Sequence, residues 1–76
     1  MRILLTGSFG NIGRDVVRLL LASGYRVRCF DVETDGNRKI FESFSRHPWN
    51  ARRIEISWGD IRNPEKVLEA TKDVKG

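Results

Sequence analysis

Thr6-Gly7-Ser8-Phe9-Gly10-Asn11-Ile12-Gly13 is the stretch on which the reading of this chain turns. Its glycines stand in the pattern G-x-x-G-x-x-G. Before it, Arg2-Ile3-Leu4-Leu5-Thr6 is a short apolar run stopped by glycine, which suits a strand buried on both faces in a parallel sheet. After it, from Asn11, the period becomes helical. Ile12, Val16, Leu19 and Leu20 form one stripe, widened by Val17 and Leu21, while Arg14, Asp15 and Arg18 lie off it. Ser23-Gly24 ends the helix, with Gly24 suited to the left-handed position after the last turn.

Outward from this unit the alternation continues. Tyr25 to Val32 is rich in β-formers and reads as a second strand. Thr34-Asp35-Gly36-Asn37 is turn chemistry, and Ile40, Phe41 and Phe44 place a short helix over 38–46, ended by His47-Pro48. Arg53 to Trp58 alternates again, with Ile54, Ile56 and Trp58 on one face, and Gly59-Asp60 closes this third strand. Asn63-Pro64-Glu65 starts a helix with an Asn cap, Pro in the first turn and an acid near the positive end. Val67, Leu68 and Thr71 are expected on its inner face. Strands alternating with helices imply an α/β fold with right-handed crossovers and a three-stranded parallel sheet in the order 3-2-1.

Composition narrows the classes. With 76 residues there is at most one domain and a modest core. Hydrophobic residues at 39% and charged residues at 32% suit a globular chain, and no apolar run approaches the roughly 20 residues of a membrane span. No signal-peptide pattern leads the sequence, and the single Cys29 allows no internal disulfide, so cytoplasmic residence is expected. The net charge of +4 is dispersed from Arg2 to Lys75, and its densest part, Arg38 to Arg53, carries no nucleic-acid-binding signature. Nucleic acid is therefore a disfavoured partner, and a membrane is not expected. The lone His47 offers no metal set. Cys29 has no evident base and reads as core, and the acids show no paired catalytic spacing. Trp49 is expected to cover a core edge, Trp58 to pack under a helix, and Asp15 and Arg18 to form a surface ion pair.

The glycines of the first loop each have a task in holding a dinucleotide. Gly7 permits the turn out of the strand, Gly10 lets a pyrophosphate approach bare backbone, and Gly13 lets the helix pack close to the first strand. The helix start supplies amides and a favourable dipole for an anion. A tight strand-to-helix turn without ligand has the same spacing. The ligand is favoured by the buried strand before the loop, the amphipathic helix after it, and Asp31 at the end of the second strand. Asp31 follows the glycines at about the 20-residue separation of an acid that accepts from the adenosine ribose hydroxyls. It would repel the extra phosphate of NADP, so NAD is preferred; Arg38 and Lys39 nearby weaken that preference.

Thr6 to Gly13 resembles the T-G-x-x-G-x-x-G signature of extended short-chain dehydrogenases/reductases, the NAD-dependent epimerase/dehydratase group. Gly59-Asp60-Ile61-Arg62-Asn63-Pro64 resembles that family's G-D-[LI]-R-[DN]-P segment. The resemblance spans essentially the whole chain and implies a partial Rossmann fold. It implies that Asp60 contacts the adenine amino group, that Ile61 flanks the ring, and that Phe9, Asn11 and Ile12 line the pyrophosphate turn. The family's Tyr-x-x-x-Lys has no counterpart: Tyr25 is followed by Arg-Val-Arg. No catalytic residue is assigned. Residues 1–76 are expected to be the N-terminal part of a larger dinucleotide-binding domain, with catalytic and substrate portions absent. Without a fourth strand the first would be an open edge, so a homodimer or higher oligomer is expected. The competing expectation is a non-catalytic, self-associating scaffold without ligand.

Overall fold

The computed structural model describes residues 2–74. Its elements run β1 (Arg2–Thr6), α1 (Asn11–Ala22), β2 (Arg26–Asp31), α2 (Asp35–Ser45), β3 (Ile54–Trp58) and α3 (Pro64–Ala70). The three strands form one parallel sheet in the order β1-β2-β3, with Leu5 opposite Cys29 and Cys29 opposite Ile56. This is the α/β arrangement and strand order expected from the alternation of periods.

The two faces of the sheet differ in chemistry. On the first, Val27 and Cys29 of β2 and Ile54 of β3 pack with Val17 and Leu21 of α1, Phe44 of α2 and Phe9 of the first loop. Leu5, Leu20, Ile40, Phe41, Ile56 and Trp58 border that core. Phe30 points to the other face, where α3 lies: a Cβ on Gly59 would meet both the Phe30 ring and Lys66 Cβ at 3.0 Å. Arg28 shares this second face and ties it to α3, donating from Nη1 to the Ala70 carbonyl at 2.8 Å and the Lys72 carbonyl at 2.5 Å.

Local chemistry explains the ends of the helices. Gly24 takes φ +88 after α1, as its sequence position required. Asn63 caps α3 by accepting from the amides of Glu65 and Lys66. Residues 34–37, expected as a turn, instead open α2. Thr34 Oγ1 accepts from the Asn37 amide at 3.0 Å, and Asp35 sits at the positive end of the helix. Cap and turn use the same residue types, and here the helix that follows decided between them.

Three apolar side chains are not where periodicity put them. Ile12 and Leu19 are 81% and 67% exposed, because α1 presents Val17 and Leu21 to the sheet and turns its Ile12–Leu19 flank outward. Leu68 is exposed as well, and Ala70 is the buried residue of α3. Trp49 covers the base of α1, donating from Nε1 to the Leu21 carbonyl at 2.9 Å. Trp58 packs beneath α2, its ring 6.4 Å from that of Phe41. Arg18 and Asp15 form the expected pair at 2.7 Å.

Candidate functional site

At the C-terminal end of β1 the chain turns through Gly7, whose φ of +63 is strained for any side-chain-bearing residue. The Gly7 amide donates to the Phe30 carbonyl at 2.9 Å, binding the turn to β2. Ser8, fully buried, locks the same junction. Its hydroxyl donates to the Leu5 carbonyl at 2.5 Å and accepts from the Phe30 amide at 3.3 Å.

Phe9 then enters the core. It is 4% exposed, and its ring lies 5.7 Å from Trp58 and 6.3 Å from Phe41. The side chain expected along the pyrophosphate turn is therefore an anchor, and only its backbone belongs to the loop. That backbone amide donates to Asp31 Oδ2 at 3.0 Å, while the Val32 amide donates to Asp31 Oδ1 at 2.8 Å.

The three glycines are bare for different reasons. A Cβ on Gly13 would fall 2.0 Å from the Gly7 carbonyl oxygen, so close approach of α1 to the turn forbids a side chain. Gly7 is required by its φ. Gly10 is required by neither: its φ is −72, and a Cβ there would make only an ordinary contact, 3.6 Å from the Gly7 oxygen. Among the described residues nothing explains why position 10 lacks a side chain.

The mouth of α1 is electrostatically open. Gly10 gives it no side-chain cap, and its first turn holds no acid, whereas α2 and α3 each have both. Such a terminus presents unpaired amides and the positive end of the helix dipole. Asn11 is exposed, its Oδ1 accepting from Arg14 Nη2 at 2.6 Å, and Ile12 stands in solvent beside it.

Gly7, Phe30, Asp31, Val32, Gly59, Asp60 and Ile61 line a shallow cleft of about 120 Å³. The fold thus gathers Gly7, Asp31, Asp60 and Ile61, from the C-terminal ends of three strands, around one opening. Phe9, Gly10, Asn11, Ile12 and Gly13 do not line that cleft. Asp60 is gripped by Arg62, which donates from Nη2 to Oδ2 at 2.6 Å and from its amide to Oδ1 at 2.9 Å. These bonds hold its carboxyl down at about 2. Phe30, Val32 and Ser8 were missed as site residues by sequence reasoning, and Gly59 was recognised only as the strand end that opens the Gly59–Pro64 segment. Phe30 and Val32 adjoin Asp31 and had no separate signal, and the role of Ser8 depends on a strand remote in sequence. Burial pushes the Cys29 thiol up to about 12, which rules it out as a nucleophile at neutral pH.

This glycine turn, the uncapped helix and the facing acid all lie within residues 3–76, the stretch matched by the family model that describes NAD-dependent epimerases and dehydratases. The chain belongs to the NAD-dependent epimerase/dehydratase family. It is also 35% identical over 75 residues to the photosystem II assembly factor Ycf39 of Cyanophora paradoxa. That match takes in 99% of this chain but only 21% of the relative's length. Within the family, the alternating strands and helices are a partial Rossmann fold. Among the described residues no cluster of His, Cys, Asp or Glu could hold a metal ion, and no helix is long and apolar enough to cross a membrane.

Proposed function

We propose that this chain binds the pyrophosphate–adenosine part of NAD, as the cofactor-holding half of an epimerase, dehydratase or reductase. Residues 1–76 form the N-terminal part of that domain and are not catalytic alone. The observation that carries the reading is Gly10, a bare backbone position that neither dihedral strain nor internal packing demands, beside a helix terminus without cap or acid. A pyrophosphate at that point would meet open amides and no side chain.

The other roles follow from position. The amides of Asn11, Ile12 and Gly13 face the pyrophosphate, and Gly7 and the Phe9 backbone shape the turn. Asp31 accepts from the adenosine ribose, keeping lone pairs free beyond the two amides it already serves. Asp60 receives the adenine amino group, and Ile61, 59% exposed, covers the ring. NAD is favoured over NADP because Asp31 repels a 2′-phosphate and Arg38 is already paired with Glu33 and Asp35. A lone, free Cys29 suits a reducing compartment such as the cytoplasm. Bound NAD would supply hydride-transfer chemistry.

Calorimetric titration with NAD, NADP and ADP-ribose tests the assignment. NAD and ADP-ribose should bind alike, NADP more weakly, and Gly10→Val should abolish all three. Binding indifferent to Gly10→Val would refute it.

A second reading is favoured by the open side of β1, where Ile3, Leu4 and Leu5 are only half-buried, and by the exposed Ile12 and Leu19 of α1. An unpaired apolar edge invites another strand. In this reading the chain is a self-associating scaffold whose thermal stability ignores NAD. Sedimentation equilibrium and melting with and without NAD separate the two, since a ligand bound only by the folded state raises the melting temperature.

A further inference from the structure

The foot of the sheet, where the strands begin, gathers positive charge that the dinucleotide reading leaves unused. Arg2 of β1 is the register partner of Arg26 of β2. The Val27 amide donates to the Arg53 carbonyl at 2.7 Å, placing Arg53 at the same end beside β3. Arg2, Arg26, Arg52, Arg53, Ile54 and Glu55 line a cavity of about 150 Å³. Gly24, Arg26, Arg52 and Arg53 line another of about 270 Å³. Three arginines are common to both, so the two are lobes of one open cleft.

Four arginines and a single carboxylate line it, in a chain whose whole net charge is +4, and one of the four, Arg2, also donates from Nη1 to the Asp73 carbonyl at 3.3 Å. That carboxylate is already engaged: Glu55 Oε1 is 2.7 Å from Arg2 Nε and 3.3 Å from Arg28 Nε. Arg53 is held too, donating from Nη1 to the Trp49 carbonyl at 2.9 Å and stacking 4.0 Å above the Trp49 ring. Arg26 and Arg52 are exposed. Among the described residues, neither forms an ion pair with a carboxylate.

Like charges directly opposite on a sheet are destabilising, and one shared glutamate does not offset the Arg2–Arg26 row. Guanidinium forks match the oxygens of a phosphate two at a time, and a cleft lined by one sign of charge concentrates its counter-ion. We infer that this cleft is a second anion site, for a phosphate-type oxyanion, free or carried on a small molecule. Arg26 and Arg52 grip it, with Arg2 and Arg53 alongside. The site lies a strand's length from the glycine loop, about 17 Å for five residues, so its occupant is not the pyrophosphate of the first site. A nucleic-acid backbone is the competing occupant. It is disfavoured because single-strand recognition uses aromatic platforms, and Trp49 on this side already carries Arg53 on its face.

The test is an amide-resolved NMR titration of the full chain with inorganic phosphate, then pyrophosphate, at constant ionic strength set by chloride. Saturable shifts at Gly24, Arg26, Arg52 and Arg53 are expected, unchanged by Gly10→Val. Binding should weaken about tenfold or more in Arg26→Gln/Arg52→Gln and return in part with Arg26→Lys/Arg52→Lys. Both positions are exposed, so the variants should fold, with unchanged circular dichroism. Shifts spread in proportion over every basic residue, or equal affinity in the double Gln variant, would overturn the inference. So would an oligonucleotide that binds this face, with steep salt dependence, where phosphate and pyrophosphate do not.

Discussion

The Asp31 carboxylate accepts the Phe9 amide at 3.0 Å, so the group proposed to read the ribose also holds the glycine loop against the end of β2. Asp31 is thus a structural clamp and, in the proposed function, a ligand contact at the same time. Asp31→Ala strands the part-buried Phe9 amide and leaves the exposed Val32 amide to water, and should cost about 1–3 kcal/mol. Asp31→Asn keeps one carbonyl acceptor and should cost less. In both variants NAD should bind more weakly than to the wild type, and NADP should gain relative to NAD because the repelling charge is gone. Urea unfolding and calorimetry measure the two effects separately.

The glycines of the loop are separable by experiment. Gly13→Ala drives a Cβ to 2.0 Å from the Gly7 oxygen. It should destabilise by about 3 kcal/mol and lower Tm by about 15 °C. Gly10→Ala meets no such obstacle at its φ of −72. Its Tm should stay within about 5 °C of the wild type, while NAD affinity falls. Equal losses of stability at the two positions would mean that Gly10, too, is needed for packing, and would remove the main support for a ligand there.

Ser8 and Phe9 pin the loop from inside. Ser8→Ala removes the hydroxyl bridge between the Leu5 carbonyl and the Phe30 amide while the β1–β2 ladder stays paired, and should cost about 0.5–1.5 kcal/mol. Phe9→Ala empties the space between Phe41 and Trp58 and should cost about 3–5 kcal/mol. Trp58 fluorescence should shift to the red in Phe9→Ala and remain unchanged in Ser8→Ala.

Alkaline titration should reveal the buried thiol. The Cys29 thiol, about 12 when folded against 9.0 unperturbed, ionises in the unfolded chain first. The unfolded state therefore binds fewer protons between those values, and the contribution of Cys29 to stability, complete below about pH 9, is lost as the pH rises towards 12. Cys29→Ser should flatten the alkaline limb of the stability curve. In the native protein at pH 8, a thiol reagent should react with Cys29 only at the rate of unfolding.

Periodicity and punctuation in the sequence determined the order of elements, the parallel sheet and the positions of Gly7, Asp31 and Asp60, because these depend on neighbours within a few residues. Thr34 to Asn37 marks the limit of that legibility, since a helix cap and a turn draw on the same residues. Only tertiary structure decided that Phe9 is core, that Ser8 bridges β1 and β2, that Ile12 and Leu19 face outward, and that four arginines share one cleft. Each of these depends on which distant segment arrives alongside, and the residue pattern within a single element holds no record of that.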